Sequence, residues 1–316
     1  MSIDTTSSFS QNRNSIITDA MFLLGALGEA ETPDDADIQI CQRALNRMLK
    51  TWEAQGHHIF GTAEATLFPV LSQAKYSIDA TNGTAHCTNS YSKTTLTANA
   101  IIGATVLTVA SNAGMTNGDF IGIIDSTGNL EWTTIVSSTS TTVTITTGLT
   151  QTATSGSYIY NYTNNINRPL KIRSARSFDV ASDTDTHMGQ YSHSKYFDIT
   201  SKTSVNDQPT NFYYDPQLNA GNLYLWSTPG TCNKLIKFTY DRPVADMNSA
   251  TSDIDFPQEW LDPIIYGLAV RVGPFFGLTK MALTLLPLAN ALLQQTLSWD
   301  NESSPLQFEP NSDDFE

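Results

Sequence analysis

The chain has 316 residues, a formal net charge of −14 and only 15% charged residues, while 40% are hydrophobic. This length predicts about two domains with a substantial core. The acidic balance argues against a protein that grips nucleic acid through its phosphates, which needs a basic surface, although passive contact with DNA is compatible with it. The widely spaced cysteines argue against a disulfide framework and predict buried thiols in a protein made in a reducing cytosol. They are Cys41, Cys87 and Cys232.

Two helices are predicted near the N-terminus, where no signal-peptide core is found. Residues 14–28 have an apolar face and end at a glycine. Residues 33–56 combine an N-cap at Thr32, Pro33 at the first helical position and Gly56 as a stop. One apolar stripe follows this second helix, at spacings of three and four. Its members are Ile38, Cys41, Leu45, Met48 and Trp52.

Residues 65–78 change to a strand-like period, and the composition changes sharply over residues 82–163. Thr, Ser, Ala and Gly dominate this second segment, and apolar residues alternate with polar ones in strands spaced about ten residues apart. The alternation argues against a disordered linker. Residues 82–163 therefore predict an inserted all-β domain, either an Ig-like sandwich or a small barrel. Its strands are expected near 94–97, 104–110, 119–124, 130–137, 141–146 and 157–162.

Short strands are predicted after the insert, followed by two helices. The strands lie at 170–173, 196–199, 211–216, 221–226 and 234–240. A helix entered after Pro257 has an apolar stripe and stops at Gly277, and a last helix covers 280–299 with Pro287 inside it. The stripe consists of Ile264, Leu268, Val272 and Phe275. The run 281–299 is broken by polar residues and indicates a buried helix rather than a membrane span.

These elements predict an α+β fold with a helical-bundle core and small antiparallel β elements, plus the inserted β domain. The core is expected to be split between residues 1–81 and 164–299. Residues 82–163 form the insert, and residues 300–316 form an acidic tail. No catalytic, cofactor or metal signature is found. The adjacent His57 and His58 point in different directions and lack a third ligand at a suitable spacing, so a helix-terminus role is preferred to a metal site.

Acidic side chains such as Glu53, Glu64 and Asp79 are numerous enough that a carboxylate pair for glycoside cleavage could be assembled in space, but any acidic chain offers this. We therefore expect no enzymatic activity. Two basic clusters suggest interaction surfaces. The first cluster is the polar face of the second helix, Arg43, Arg47 and Lys50. The second cluster could line a surface that DNA passes or meet an acidic partner; it consists of Arg168, Lys171, Arg173 and Arg176. The alternatives are a solvated helix face for the first cluster and the wet face of an edge strand for the second.

Several segments, in their order, resemble the head-to-tail adaptors, or tail accessory factors, of short-tailed bacteriophages. They are LNRMLKTWEAQGHHIF, LFPVLSQAKYSI, RPLKIRSA, FYYDPQLNAGNLYLWSTP and FPQEWLDPIIYGLAVRVGPFFGL. Residues 1–80 and 165–300 are covered, and the family's close spacing between the second and third segments is interrupted here by the insert. The sequence departs from the family around Pro274, where relatives have alanine and an acidic residue.

The resemblance implies a structural virion protein made in the host cytoplasm and located in the neck. It would form a homo-oligomeric ring, dodecameric to match the portal, that stabilises packaged DNA and supports the tail. The expected partners are the portal protein, tail hub or nozzle and fibre proteins, and passing double-stranded DNA without specific binding; no membrane is expected. The tail's apolar residues Leu306, Phe308 and Phe315 would fold onto the portal.

The insert is expected to contact another virion protein or to bind glycans weakly. Two other functions for the whole chain stay open. One is a virion-associated peptidoglycan hydrolase, which needs a carboxylate-lined cleft. The other is a receptor- or glycan-binding tail protein, which the β-rich insert suggests.

Overall fold

The computed structural model describes residues 10–28, 31–55 and 61–299. The chain divides into two compact units: a sheet unit, residues 62–243, and a helical unit, residues 1–61 with 244–316. The helices are α1 (Arg13–Leu24), α2 (Asp35–Gln55), α3 (His193–Phe197), α4 (Leu261–Val272) and α5 (Thr279–Trp299). The strands are β1 (Thr62–Leu67), β2 (Lys75–Ile78), β3 (Cys87–Thr88), β4 (Ser92–Thr95), β5 (Val106–Thr108), β6 (Phe120–Ile124), β7 (Leu130–Ser138), β8 (Thr142–Ile145), β9 (Tyr158–Tyr162), β10 (Lys171–Asp179), β11 (Thr184–Gln190), β12 (Val205–Asn206), β13 (Asn211–Pro216), β14 (Gly221–Trp226), β15 (Thr228–Pro229) and β16 (Lys234–Asp241).

The helical unit buries one stripe of each helix in a common core. α4 packs on α1, α2 and α5, and the rings of Trp52 and Trp260 lie 5.8 Å apart within this core. α1 begins where the side chain of Asn12 accepts a hydrogen bond from the Ser15 amide, and it ends at Gly25 with φ 76°. The predicted apolar stripes therefore serve packing within this unit.

The sheet unit contains an eight-stranded sheet in the order β2-β14-β13-β11-β10-β16-β1-β3. Its neighbours are antiparallel except for β11 and β13, which pair in parallel. Strands far apart in the chain pair here, since β1 and β10 both flank β16. The side chains on its inner face form a separate core, in which Leu67, Phe212, Leu225 and Phe238 are almost fully buried.

The second sheet has six strands in the order β4-β9-β6-β7-β8-β5. Its two outer strands also meet, because the Thr97 amide donates to the Thr108 carbonyl at 2.9 Å and the Ala110 amide donates to the Thr95 carbonyl at 3.0 Å. The sheet thus closes into a small barrel, which removes exposed strand edges. Alternate residues fill its interior, among them Leu107, Ile121, Ile123, Ile135, Val143, Ile145 and Ile159.

The predicted fold class is wrong. Sixteen strands dominate the described residues, and the larger unit is built from sheets rather than from a helical bundle. The strands outside the insert are individually short, so the sequence suggested separate small β elements. Pairing between β1, β10 and β16 unites them into one sheet with its own core, and such long-range pairing leaves no local pattern.

Several individual elements are confirmed, and others are corrected. The six strands of the insert, the 211–226 hairpin and the four long helices lie close to their predicted positions. The predicted strand at 196–199 is wrong, since α3 forms there with Ser192 as N-cap. The backbone carbonyl of Asp34 accepts the first helical hydrogen bond of α2, from the Ile38 amide. Asp34 is therefore the N-cap residue, and the predicted N-cap at Thr32 is wrong. Phe275 lies beyond α4 and is 61% exposed rather than on its buried stripe.

Candidate interaction surfaces

The first half of α5 is apolar on most of its circumference, with Lys280 and Thr284 as exposed polar residues. Ala282, Leu285 and Ala289 are buried, while four large apolar side chains on the other sides are between 38% and 62% exposed. These four, Met281, Leu283, Leu286 and Leu288, are called here the α5 apolar surface. Lys280 is the single charged residue in the helix. Large apolar side chains grouped on one exposed helix surface are typical of interaction sites, so this surface is suited to contact with another molecule.

The three basic residues predicted on α2 lie together on its exposed side but differ in their partners. Lys50 is engaged within the unit, because its Nζ donates to the Val244 carbonyl at 2.7 Å and lies 3.1 Å from a Glu53 oxygen. Arg47 donates from Nε to the Arg43 carbonyl at 3.1 Å. Within the described parts of the chain, neither arginine has a carboxylate partner. The role of these residues in a partner interface stays a prediction.

The structure adds Arg271, in the last turn of α4, to this basic group. Partial burial and the nearby charge of Arg47 lower the pKa of Arg271. Among the described residues no carboxylate neutralises this arginine pair. The sequence hides the proximity because the two arginines lie on different helices. A basic residue in a last helical turn is also common for local reasons, since it complements the helix dipole.

Two of the four residues of the second predicted basic cluster form ion pairs within the sheet unit. Arg173 Nε donates to a carboxylate oxygen of Asp241 at 2.6 Å. Arg176 bridges two carboxylates, those of Glu64 at 2.8 Å and Asp185 at 3.1 Å. Lys171 is exposed and Arg168 is half-buried, and within the described residues the side chains of both lack a carboxylate partner.

The predicted edge position of this second cluster is wrong, since β10 lies between β11 and β16. Its role as a channel or acidic-partner surface stays a prediction. The predicted tail contacts Leu306, Phe308 and Phe315, and the pair His57 and His58, lie outside the described residues.

The acidic residues considered for catalysis have structural partners. Glu53 accepts from the Val244 amide and pairs with Lys50. The carboxylate of Asp79 accepts hydrogen bonds from the backbone amides of Thr81, Asn82 and Arg168, which orders the loop after β2. Burial acts to raise the pKa of Asp79, but these hydrogen bonds outweigh it and lower the pKa. In the described part of the chain, no group of three His, Cys, Asp or Glu side chains is placed to hold a metal ion.

All three cysteines are free and buried, as predicted. Burial raises the pKa of Cys41 and of Cys232 to about 11, so these thiols stay protonated at neutral pH. Within the residues described, no helix combines the length and the hydropathy needed to cross a membrane.

An aromatic cluster joins the barrel to the eight-stranded sheet. Phe68, which follows β1, is 1% exposed. It lies 5.1 Å from the Trp132 ring and 5.2 Å from the Tyr160 ring, both in the barrel. Trp132 lies across Gly122 on the neighbouring strand, where a β-carbon would be only 2.8 Å from the indole. Gly122 is therefore required by the close approach of this ring, and the cluster fixes the barrel against the sheet.

A shallow polar crevice lies where the chain crosses between the two sheets. It has a volume of about 360 Å³ and is lined mainly by amide and hydroxyl side chains from residues 88–92 and 161–165. Several of these groups are already hydrogen-bonded, as where Ser92 Oγ donates to Asn161 Oδ1 at 3.1 Å and Tyr162 OH donates to Asn165 Oδ1 at 2.9 Å. The crevice is therefore chiefly part of the junction.

Comparisons with known proteins find little. No protein-family model and no curated protein matches the chain. Among solved structures, it is similar to the Gp54 tailspike of Acinetobacter baumannii bacteriophage AP22, solved in complex with an A. baumannii capsular saccharide. The match has 18% sequence identity and a TM-score of 0.21, and it covers 25% of this chain and 15% of the tailspike chain. A likeness of this extent carries no argument about function.

Proposed function

We propose that this chain is a head-to-tail adaptor of a short-tailed bacteriophage. In this role it is a non-enzymatic virion protein of the neck, forms a homo-oligomeric ring beneath the portal, closes the DNA exit channel after packaging and supports tail or fibre proteins. The resemblance of the five sequence segments supports this function. The dodecameric stoichiometry is taken from the family alone.

The observation that carries the proposal is the α5 apolar surface. Leu283 is 62% exposed and Leu288 is 47% exposed in a helix with one charged side chain. A partner that covers these leucines would gain about 25 cal/mol of free energy for each Å² of apolar surface that it removes from water. A ring brings the same helix of every subunit to a neighbour or to the portal, which provides that cover repeatedly.

The charge of the chain is compatible with a DNA channel that must release its contents. A subunit with a net charge of −14, repeated around a ring, produces a negative potential that repels phosphates. Passing DNA is therefore not held during ejection. The unneutralised pair Arg47 and Arg271 suits a carboxylate on a neighbouring subunit or on the portal.

The test is to mix the full chain with the portal protein of the same phage and to count subunits by native mass spectrometry. We expect a monomer alone and a ring in the presence of portal. Leu283→Lys should abolish the ring while the monomer stays folded, because this side chain is already largely exposed in the monomer. Gln294→Lys is the matched control, since it adds the same charge at an exposed polar position of α5.

Failure of the wild-type chain to bind portal would overturn the proposal, as would equal assembly by the Leu283→Lys variant. A stable trimer alone would favour the receptor-binding function instead. Lysis in a peptidoglycan zymogram would favour the hydrolase.

A further inference from the structure

One surface of the eight-stranded sheet carries several aromatic rings. In register, Tyr213 on β13 lies opposite Tyr224 on β14, and the two rings stack with centroids 5.6 Å apart and planes 22° apart. Phe197, at the end of α3, lies 6.2 Å from the Tyr213 ring. Tyr191 and Trp226 form a second pair, with centroids 6.1 Å apart. Trp226 lies on the same side of β14 as Tyr224, two residues further along the strand. These five residues are called here the aromatic face.

The aromatic face is accessible and amphipathic. Phe197 is 46% exposed, and the other four residues are half-buried. Tyr196 lies beneath them and is 2% exposed, so the rings rest on a packed base rather than on a mobile loop. Within the described residues, the hydroxyls of Tyr191, Tyr213 and Tyr224 have no hydrogen-bond partner. The surface thus offers apolar ring faces together with free phenolic groups.

Three lysines surround these rings without carboxylate partners among the described residues. Lys195 Nζ lies 4.5 Å from the centroid of Tyr191, and Lys75 Nζ lies 5.6 Å from that of Tyr224. Lys202 Nζ lies 5.7 Å from the Phe197 ring and donates to the carbonyls of Phe197 and Ile199. Their positive charge is therefore held over the rings and not neutralised.

These three lysines meet at one group of rings although the chain has 31 acidic and only 17 basic residues. Elsewhere in the sheet unit, Arg173, Arg176 and Lys234 form ion pairs. Two carboxylates lie near the aromatic face. Asp215 accepts from Gln217 Nε2 at 2.9 Å, and Asp198 directly follows α3. The lysines, which lack carboxylate partners among the described residues, indicate an anionic ligand. The rings with their hydroxyls indicate a ligand that presents both C–H faces and hydroxyl groups.

We propose that the aromatic face binds an acidic polysaccharide, one whose sugar units carry carboxylates. The rings stack on the C–H faces of the sugars, the free phenolic groups hydrogen-bond to sugar hydroxyls, and Lys75, Lys195 and Lys202 bind the carboxylates. Alternate residues of one strand, such as Tyr224 and Trp226, are about 7 Å apart, so their rings can contact different sugar units of one chain. An acidic polypeptide also satisfies the lysines and accepts from the phenolic groups, but a glutamate-rich chain offers no flat C–H face to stack on the rings.

The test is isothermal titration of the full chain with oligogalacturonate. Cello-oligosaccharide of equal length is the neutral probe, and polyglutamate of equal charge is the acidic polypeptide probe. We expect oligogalacturonate to bind more tightly than either. Tyr213→Ala should weaken binding about tenfold, and Lys195→Gln about fivefold. Lys93→Gln is the matched control, since it removes the same charge from the barrel and should change nothing.

Asp198→Asn should strengthen binding, because it removes a negative charge beside the face. Tyr191→Ala, at a half-buried position, provides a second ring deletion if Tyr213→Ala does not fold. The proposal is overturned if oligogalacturonate does not bind, if polyglutamate binds as tightly, or if the ring and lysine variants bind as the wild type does. These outcomes do not depend on portal binding, so the ring proposal is tested separately.

Discussion

The imidazole of His86 stacks on the indole of Trp132, with ring centroids 4.0 Å apart and planes 9° apart. His86 directly precedes β3 of the large sheet, and Trp132 belongs to β7 of the barrel, so the pair joins the two sheets. The Tyr162 hydroxyl donates its one proton to Asn165 Oδ1, and it lies 2.6 Å from His86 Nδ1. Nδ1 of His86 must therefore carry the proton in the neutral ring.

The stability of the sheet unit should depend on this histidine between pH 4 and 6.5. Burial lowers the pKa of His86 from 6.5 to about 4. Between these two pH values His86 binds a proton in the unfolded chain but stays neutral in the folded chain. The free energy of unfolding is therefore highest above pH 6.5 and falls as the pH falls towards 4. The loss should reach about 2 to 3 kcal/mol, and urea unfolding across this pH range measures it.

The control for this prediction is His86→Phe, which keeps a ring against Trp132 but cannot titrate. Its absolute stability will differ because the hydrogen bond to Tyr162 is lost. Carboxylates elsewhere titrate equally in both proteins, so the difference in slope isolates His86. Parallel curves for the two proteins would contradict a buried neutral imidazole.

Phe68 should be the residue on which attachment of the barrel most depends. Its ring contacts Tyr91, Trp132, Tyr160 and Tyr162, and it is 1% exposed. Phe68→Ala should reduce the free energy of unfolding by about 3 to 5 kcal/mol, because it leaves a cavity among these rings. Val70→Ala, two residues along at a 38% exposed side chain, is the control and should change stability by about 0.5 kcal/mol or less. Similar thermal denaturation for the two variants would argue against this packing.

Deletion of residues 83–163 removes the barrel together with β3, the edge strand beside β1, and should destabilise the remaining sheet. Phe68, Val180, Cys232 and Leu235 of the sheet are buried against barrel residues, and deletion would expose them. Proteolysis of the deleted protein should therefore be faster than that of the full chain. A deleted protein as resistant as the full chain would mean that the barrel and β3 contribute little to the stability of the sheet.

Arg176 is expected to stabilise the sheet through its ion pairs rather than to contact a partner protein. Its guanidinium bridges Glu64 on β1 and Asp185 on β11 across the sheet. Arg176→Gln should cost about 0.5 to 1 kcal/mol at low salt and less at high salt, since these groups are partly exposed. Lys171→Gln, which removes an exposed charge from the same strand, should have almost no effect on chemical denaturation. Equal effects would indicate that the bridge is not formed in solution.

Reversing the charge of Arg47 should separate folding from assembly. Arg47→Glu replaces repulsion of Arg271 by attraction, so the monomer should gain a few tenths to about 1 kcal/mol in stability at low salt. The same change should weaken ring formation, because it removes a charge offered to a neighbour. Arg47→Gln should give an intermediate stability. A destabilised monomer would show that Arg47 has an essential contact within its own unit.

Local sequence patterns were sufficient to predict most individual elements. Helix α2 and the strands of the insert appear in the sequence because a period of about 3.6 or of two is a property of consecutive residues. The short helix α3 was missed because its start depends on one hydrogen bond, from the Lys195 amide to the Ser192 hydroxyl, in a segment rich in aromatic residues that also suit a strand.

The sequence by itself determined the acidic charge, the long amphipathic helices, the all-β character of the insert and the burial of the cysteines. Only the tertiary structure decided that β1, β10 and β16 join in one large sheet, that Arg176 is neutralised internally, that Arg47 meets Arg271 and that His86 stacks on Trp132. These four relationships join residues distant in the chain. Their energies depend on distance in space and on exclusion of water, and neither quantity is encoded in the order of neighbouring residues.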